Sequence, residues 1–123
     1  ELLFIQSVIR KNYQLLRCVD KSLIGFVHGD FKGSNMMQDQ NKSLKLIDFQ
    51  YYCQGIKVWD LAFYFSKSKL SFSKGIGKIL NNFSTENEKR YLVFLYVFAV
   101  LLHPKSSVFE RDKYKPALEY LGS

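Results

Sequence analysis

Apolar residues at Leu2, Ile5, Ile9, Tyr13 and Leu16 recur at steps of three and four, which predicts an amphipathic helix over residues 1 to about 18. Its apolar face is expected to pack beneath the loop that follows residue 27. The run Ile24, Phe26, Val27 predicts a short strand over 24–27. A second run, Leu44, Leu46, Ile47, predicts the return strand of a hairpin lying between about Met36 and Asp48, with Asn41-Lys42 at its tip. Residues 49 to 59 lack such a pattern and are expected to form a loop containing Gly55. Asp60 suits the N-cap of a helix starting at Leu61. Thr85 with Glu88 makes a capping-box pair, and Glu86 and Glu88 place negative charge at the helix start. That helix is expected to run to about Leu102 and stop at His103-Pro104. Its apolar stretch, 91–102, is too short to cross a bilayer and reads as buried. Ser107 with Glu110 repeats the capping signal before a last helix holding Tyr114, Leu118 and Leu121, closed by Gly122. The pattern gives an α+β fold class, mainly helical, in one domain over residues 1–123.

The chemistry concentrates where the predicted strands end. Residues 27–35 read Val-His-Gly-Asp-Phe-Lys-Gly-Ser-Asn, and Leu46-Ile47-Asp48-Phe49 follows beyond the hairpin. Phosphoryl transfer from a nucleotide needs one carboxylate for the acceptor hydroxyl's proton. It also needs an amide oxygen and a second carboxylate, from another backbone segment, to converge on magnesium. Asp30, Asn35 and Asp48 supply that set. With His28 counted as well, chance gives four residues at such offsets in on the order of one chain per thousand. The competing reading is a polar turn in which Asp30 and Asn35 serve as turn formers.

The motifs His28-Gly29-Asp30, Asn35, Ile47-Asp48-Phe49 and Asp60-Leu61-Ala62 resemble those of the kinase-like phosphotransferases, in the aminoglycoside phosphotransferase and choline kinase group. Asn35-Met36-Met37, Asp48-Phe49-Gln50 and the run Asp60-Leu61-Ala62-Phe63-Tyr64-Phe65 look most like the ecdysteroid-kinase-like branch, also called CHK-kinase-like. The motif-bearing resemblance covers residues 24 to 68. It implies a protein-kinase-like C-terminal lobe, whose small hairpin carries the catalytic and metal-binding loops. It implies Asp30 as the catalytic base, Asn35 and Asp48 as magnesium and nucleotide ligands, His28 as a brace of the loop, and Asp60 as its tie to the following helix. Lys32 stands where many protein kinases contact the transferred phosphate; a solvated loop lysine is the alternative. The implied cofactors are ATP and Mg2+, and the implied partners are the nucleotide and a small-molecule hydroxyl acceptor.

Kinase-like enzymes place a lobe with a Gly-rich loop and a strand lysine before these motifs. Here 27 residues precede His28, and they read as one helix, so the chain is expected to be a partial domain with little turnover on its own. Gly75-Ile76-Gly77-Lys78 lacks the third glycine and follows the catalytic motif, so it is not taken as that loop. A catalytically silent lobe that binds a partner is the alternative of another class. Choline or aminoglycoside kinase activity remains open within the enzyme class.

Composition narrows the setting. Cys18 and Cys53 give no zinc or redox spacing and are expected to be packed thiols of a cytoplasmic protein. Tyr51-Tyr52 and the stripe Phe63, Tyr64, Phe65 are expected to pack in the core. The net charge is +7, and Lys57, Lys67, Lys69, Lys74 and Lys78 fall in a stretch whose only acid is Asp60. A solvated lysine face is the default reading. A field that draws phosphates or an anionic substrate is the functional one. No nucleic-acid recognition motif accompanies the lysines, so no nucleic-acid partner and no membrane span are expected. The sequence does not set the oligomeric state.

Overall fold

The computed structural model describes residues 2–102 and 107–122. Helix α1 (Leu2–Asn12) is followed at once by the short α2 (Gln14–Arg17). Strand β1 (Ile24–Val27) leads into the motif loop, and β2 (Met36–Gln38) with β3 (Leu44–Leu46) forms the hairpin. Strand β4 (Cys53–Ile56) precedes α3 (Trp59–Lys67). A short helix α4 (Ile76–Ile79) connects to the long α5 (Glu86–Leu102) and to α6 (Ser107–Gly122). The fold is therefore α+β and mainly helical, with small antiparallel sheets.

Helix α5 is the centre of the core. Tyr91, Leu92, Val93, Tyr96, Val97 and Val100 are all buried, so the helix is covered on nearly every side, and only a central helix can use so unbroken an apolar run. It packs against α3 on one side and α6 on the other. Its N-terminus closes as its sequence predicts. The Glu88 amide donates to Thr85 Oγ1 at 3.1 Å, and the Thr85 hydroxyl donates to Glu88 Oε1 at 3.2 Å.

Several expectations are corrected by tertiary contacts. The first helix breaks at Tyr13, and it packs principally on α6 rather than beneath the motif loop. Among its described side chains Val8 and Asn12 are buried, Ile9 packs half-buried against the core, and Tyr13 is exposed. The cause is polar: the Asn12 amide donates to the Val8 carbonyl, and Arg90 Nη2 donates both to Asn12 Oδ1 at 2.6 Å and to the Leu121 carbonyl at 2.8 Å. Arg90 thus joins α1, α5 and α6, and a count of apolar residues does not register it.

The segment expected as loop contains β4, which pairs antiparallel with β1 in the register Ile24↔Ile56 to Val27↔Cys53. Cys53-Gln54-Gly55-Ile56 has no apolar alternation, so its strand conformation comes from its partner. The hairpin of β2 and β3 keeps its expected tip, built around Asp39, whose Oδ1 accepts the Asn41 and Ser43 amides, with Lys42 at φ 61°. Cys18 and Cys53 are exposed rather than packed. Tyr51 and Tyr52 are 60% and 52% exposed, because among the described residues no second layer covers this face of the sheets; Tyr52 stacks instead on the exposed Phe26 at 5.2 Å. The stop at His103-Pro104 lies outside the described residues, and the capping pair Ser107 and Glu110 lies outside the described side chains.

Helix α6 holds the C-terminal end of α3 in place. Lys113, 2% exposed, sends Nζ to the Ser66 carbonyl at 2.8 Å and the Ser68 carbonyl at 2.7 Å. These carbonyls lie at the end of a helix, where a cation is favoured by both hydrogen bonding and the helix dipole. Pro116 inside α6 has no N–H for the Asp112 carbonyl, which accepts the Phe72 amide at 3.4 Å instead. Lys113→Met, which keeps most of the stem volume, is expected to cost about 2 kcal/mol, because two buried carbonyls lose a charged donor. Urea unfolding of the variant beside the parent chain measures it; an unchanged midpoint would mean that other donors replace the ammonium.

Candidate active site

The site is assembled around the residues between β1 and the hairpin. Asp60, at the second position of α3, does not cap its own helix as expected; the helix begins one residue earlier, at Trp59, and follows Val58. Its carboxylate is turned to the motif loop instead. Oδ2 accepts the His28 amide at 2.8 Å and Oδ1 accepts the Gly29 amide at 3.1 Å. Two successive backbone donors on one carboxylate fix the direction in which the chain leaves β1. Gly29 then turns through φ 91°, and a Cβ there would sit 2.5 Å from the Tyr51 carbonyl oxygen, so both conformation and space demand glycine.

His28 is buried at 6% exposure and bonds through both ring nitrogens. Nδ1 accepts the Asp30 amide at 3.1 Å. A nitrogen that accepts carries no proton, so the ring proton is assigned to Nε2, which donates to the Ile47 carbonyl at 2.8 Å. The ring therefore joins the Asp30 loop to the residue just before Asp48. Phe49 packs on the same ring at a centroid distance of 4.6 Å.

Asn35 is equally buried and closes the loop. Its Nδ2 donates to the Asp30 carbonyl at 2.8 Å and to Asp30 Oδ2 at 3.0 Å. Its own carbonyl accepts the Ile47 amide at 2.9 Å, which extends the hairpin ladder by one step. The amide oxygen Oδ1 is thereby turned away from Asp30. Asp48 follows Ile47 with φ 60°, in the left-handed region that aspartate tolerates better than most residues, and it is exposed. Lys32 Nζ lies 3.6 Å from Asp30 Oδ1, a loose and solvent-facing pair.

The structure brings these residues to one mouth. Asp30, Lys32, Asp48, Gln50, Phe63 and Lys67 line an open cleft of about 530 Å³. Asn35 lies behind Asp30, while His28 and Asp60 brace the cleft from behind through the backbone. Sequence reasoning did not single out Lys67 or Gln50 for this place. It also assigned Phe63 to the core alone, although the ring is buried on one side and borders the cleft on the other. The signal for Lys67 was its spacing from Phe63, one helical turn on, in a lysine-rich stretch.

Asn35 Oδ1 and the Asp48 carboxylate are hard oxygen donors of the type that magnesium takes. Among the described residues, no group of three or more His, Cys, Asp or Glu side chains is arranged to hold a metal ion. A magnesium ion here fits a site in which water and phosphate oxygens complete the shell, as is usual for this ion at nucleotides. Among the described residues no helix is long and apolar enough to cross a membrane.

Comparison with known families agrees with this arrangement. A family model described as choline/ethanolamine kinase matches residues 4–103. No curated protein and no solved structure matches the chain.

Removing the Asp60 carboxylate leaves two backbone N–H groups without their acceptor beside a buried imidazole. Asp60→Ala is expected to destabilise the chain by about 3 kcal/mol, more than the roughly 1 kcal/mol of a lost helix cap. Denaturant unfolding decides between the two. A loss below that of a surface cap would mean that the loop holds its shape without the carboxylate.

Proposed function

We propose, from the premise that this chain belongs to the choline/ethanolamine kinase family, that it carries the catalytic and metal-binding half of an ATP-dependent phosphotransferase acting on a small-molecule hydroxyl. The observation that supports this most is the joining of Asp30, Asn35 and the Asp48 segment by His28 and by one amide. Asp30 and Asp48, from two backbone segments, line the mouth of one cleft, and Asn35 is bonded to Asp30 from the same loop, which supports in-line transfer as the reading.

In this reading Asp30 receives the proton of the acceptor hydroxyl. The acceptor oxygen forms a bond to the γ-phosphorus while the bond from that phosphorus to the bridging oxygen breaks, and ADP leaves with the bonding electrons. Asn35 orients Asp30 through Oδ2 and leaves its own oxygen for a cation. Asp48 supplies the second cation ligand. When bound, magnesium neutralises phosphate charge and aligns the γ-phosphate. Lys32 reaches the same mouth and suits a contact to the transferred phosphate. His28 and Asp60 position the loop and touch neither reactant. The chain as a whole corresponds in this reading to a C-terminal lobe. The ecdysteroid-kinase-like branch rests on Asp48-Phe49-Gln50 and on the 60–65 run.

A coupled ADP-release assay over alcohols, choline, aminoglycosides and sterols tests the activity, run on this chain and on the longest natural form. In the active form, Asp30→Asn is expected to lower kcat by two orders of magnitude or more with nucleotide affinity nearly intact, since the amide keeps shape without basicity. Near-normal kcat would remove Asp30 from the role of base. Nucleotide binding without turnover of any acceptor would leave a silent binding lobe. Asp48→Ala is expected to abolish the magnesium-dependent part of nucleotide binding at a stability cost of about 1 kcal/mol, because alanine tolerates the left-handed backbone at φ 60° less well than aspartate. Magnesium titrations at fixed nucleotide read the first quantity and thermal melts the second; retained magnesium dependence would contradict the ligand role.

A further inference from the structure

Helix α1 turns one face to the core and leaves the other uncovered. Val8 and Asn12 are buried, and Arg90 of α5 bonds to Asn12 and to the Leu121 carbonyl of α6, so the helix is held from its inner side. At about 100° per residue the face opposite Val8 carries Leu3, Gln6, Arg10 and Tyr13, and one flank carries Phe4, Ser7 and Lys11. Tyr13 keeps right-handed helical angles at the break, and α2 adds Arg17 one turn further on. All of these side chains are exposed, Leu3 at 80% and Phe4 at 46%.

This face carries one sign of charge. Residues 2–17 contain no acid. Asp20, just beyond, accepts the Ser22 amide at 3.0 Å. Among the described residues no ion pair engages Arg10, Lys11 or Arg17. The cations are interleaved with an aliphatic side chain and two aromatic ones, all open to water. A face meant only for solvent gains nothing from bare Leu3 and Phe4. A second copy of the chain would bring the same three cations against these, and like charges oppose that pairing.

We propose that the outer face of α1 and α2 is a peripheral attachment site for an anionic lipid surface. Leu3, Phe4 and Tyr13 enter the boundary between headgroups and acyl chains. Arg10, Lys11 and Arg17 meet the lipid phosphates and carboxylates. Stable attachment takes both kinds of contact, since neither a few apolar side chains nor a few charges suffice alone. The helix lies on the surface and does not enter it end-on; among the described residues no helix is long and apolar enough to cross a membrane. Because Arg90 already fixes α1 on α5 and α6, attachment needs no rearrangement of the core.

The test is co-sedimentation of the full natural protein with vesicles of phosphatidylcholine alone, and with phosphatidylserine as about a third of the lipid. Binding to the anionic vesicles is expected to be at least about tenfold tighter at low salt, and to fall as salt rises. Arg10→Gln, Lys11→Gln and Arg17→Gln are each expected to weaken it about fivefold. Lys45→Gln and Lys74→Gln remove the same charge from exposed positions elsewhere and are expected to leave it within about twofold. Leu3→Ser is expected to remove the part of binding that survives salt. All of these positions are exposed, so unfolding midpoints near that of the parent confirm that only the surface has changed. The exposed Cys18 at the end of α2 gives a second readout. A polarity-sensitive dye on Cys18, with Cys53→Ser, is expected to shift to the blue on anionic vesicles, and the same dye on Cys53, with Cys18→Ser, is expected not to shift. Equal binding to both vesicle types, no binding to either, or equal losses from Lys45→Gln and Arg10→Gln would overturn the proposal. Polyglutamate that binds as tightly as the anionic vesicles would overturn it too, and would assign the face to an acidic polypeptide.

Discussion

One carboxylate sets the geometry on which the site depends. Asp60 accepts two consecutive backbone amides, at His28 and Gly29, and so fixes the chain at the point where it leaves β1. From that point every further bond is reachable. His28 meets the Asp30 amide and the Ile47 carbonyl, and Asn35 meets Asp30. The carboxylate stands on α3, which packs on the buried α5, so the loop inherits the rigidity of the helical core through a pair of charge-assisted hydrogen bonds. The His28 and Asn35 bonds then add order within the loop itself.

The molecule divides into two kinds of surface. The helical half buries α5 almost entirely, and the half-buried Arg90 and the buried Lys113 are satisfied by the carbonyls and amide of neighbouring helices. Both act as ties between helices that apolar packing alone would leave free to slide. The strand half is thin, with Phe26, Met37, Leu44 and Tyr51 exposed. Asp48 lies exposed on this side, at the edge of the cleft that it shares with Asp30.

Charge is distributed with the same economy. The acids near the mouth are Asp30, Asp48 and Asp60, and each has a distinct partner or direction: Asn35 and Lys32 for the first, the open cleft for the second, the backbone for the third. Lys67 and Lys69, at and just beyond the end of α3, border a second, neighbouring cleft, and the buried Lys113 bonds to the Ser66 and Ser68 carbonyls beside them. Four lysines, Lys32, Lys67, Lys69 and Lys113, stand against the three aspartates here, so most of the formal charge of +7 lies elsewhere on the chain.

The spacing of His28, Asp30, Asn35 and Asp48 was legible without coordinates, because local strand and turn signals on either side leave few ways to arrange them. The central helix and its Thr85 cap were legible for the same reason, being local in sequence. What the sequence could not decide were contacts between distant segments. Asp60 looks like a cap when only its neighbours are considered; its tie to the motif loop was implied by the family resemblance alone, and it forms because β1 arrives beside α3. Residues 53–56 carry no strand pattern and become a strand through pairing with β1. Tyr51, Tyr52 and the two cysteines read as core by composition, and they are exposed because among the described residues no second layer covers that face. Lys67 and Lys69 are two lysines in a run until the loop after Phe31 folds against them and makes one side of a cleft. Periodicity and capping are properties of adjacent residues and survive in the one-dimensional string; the pairing of donors with distant acceptors is created only when the chain closes.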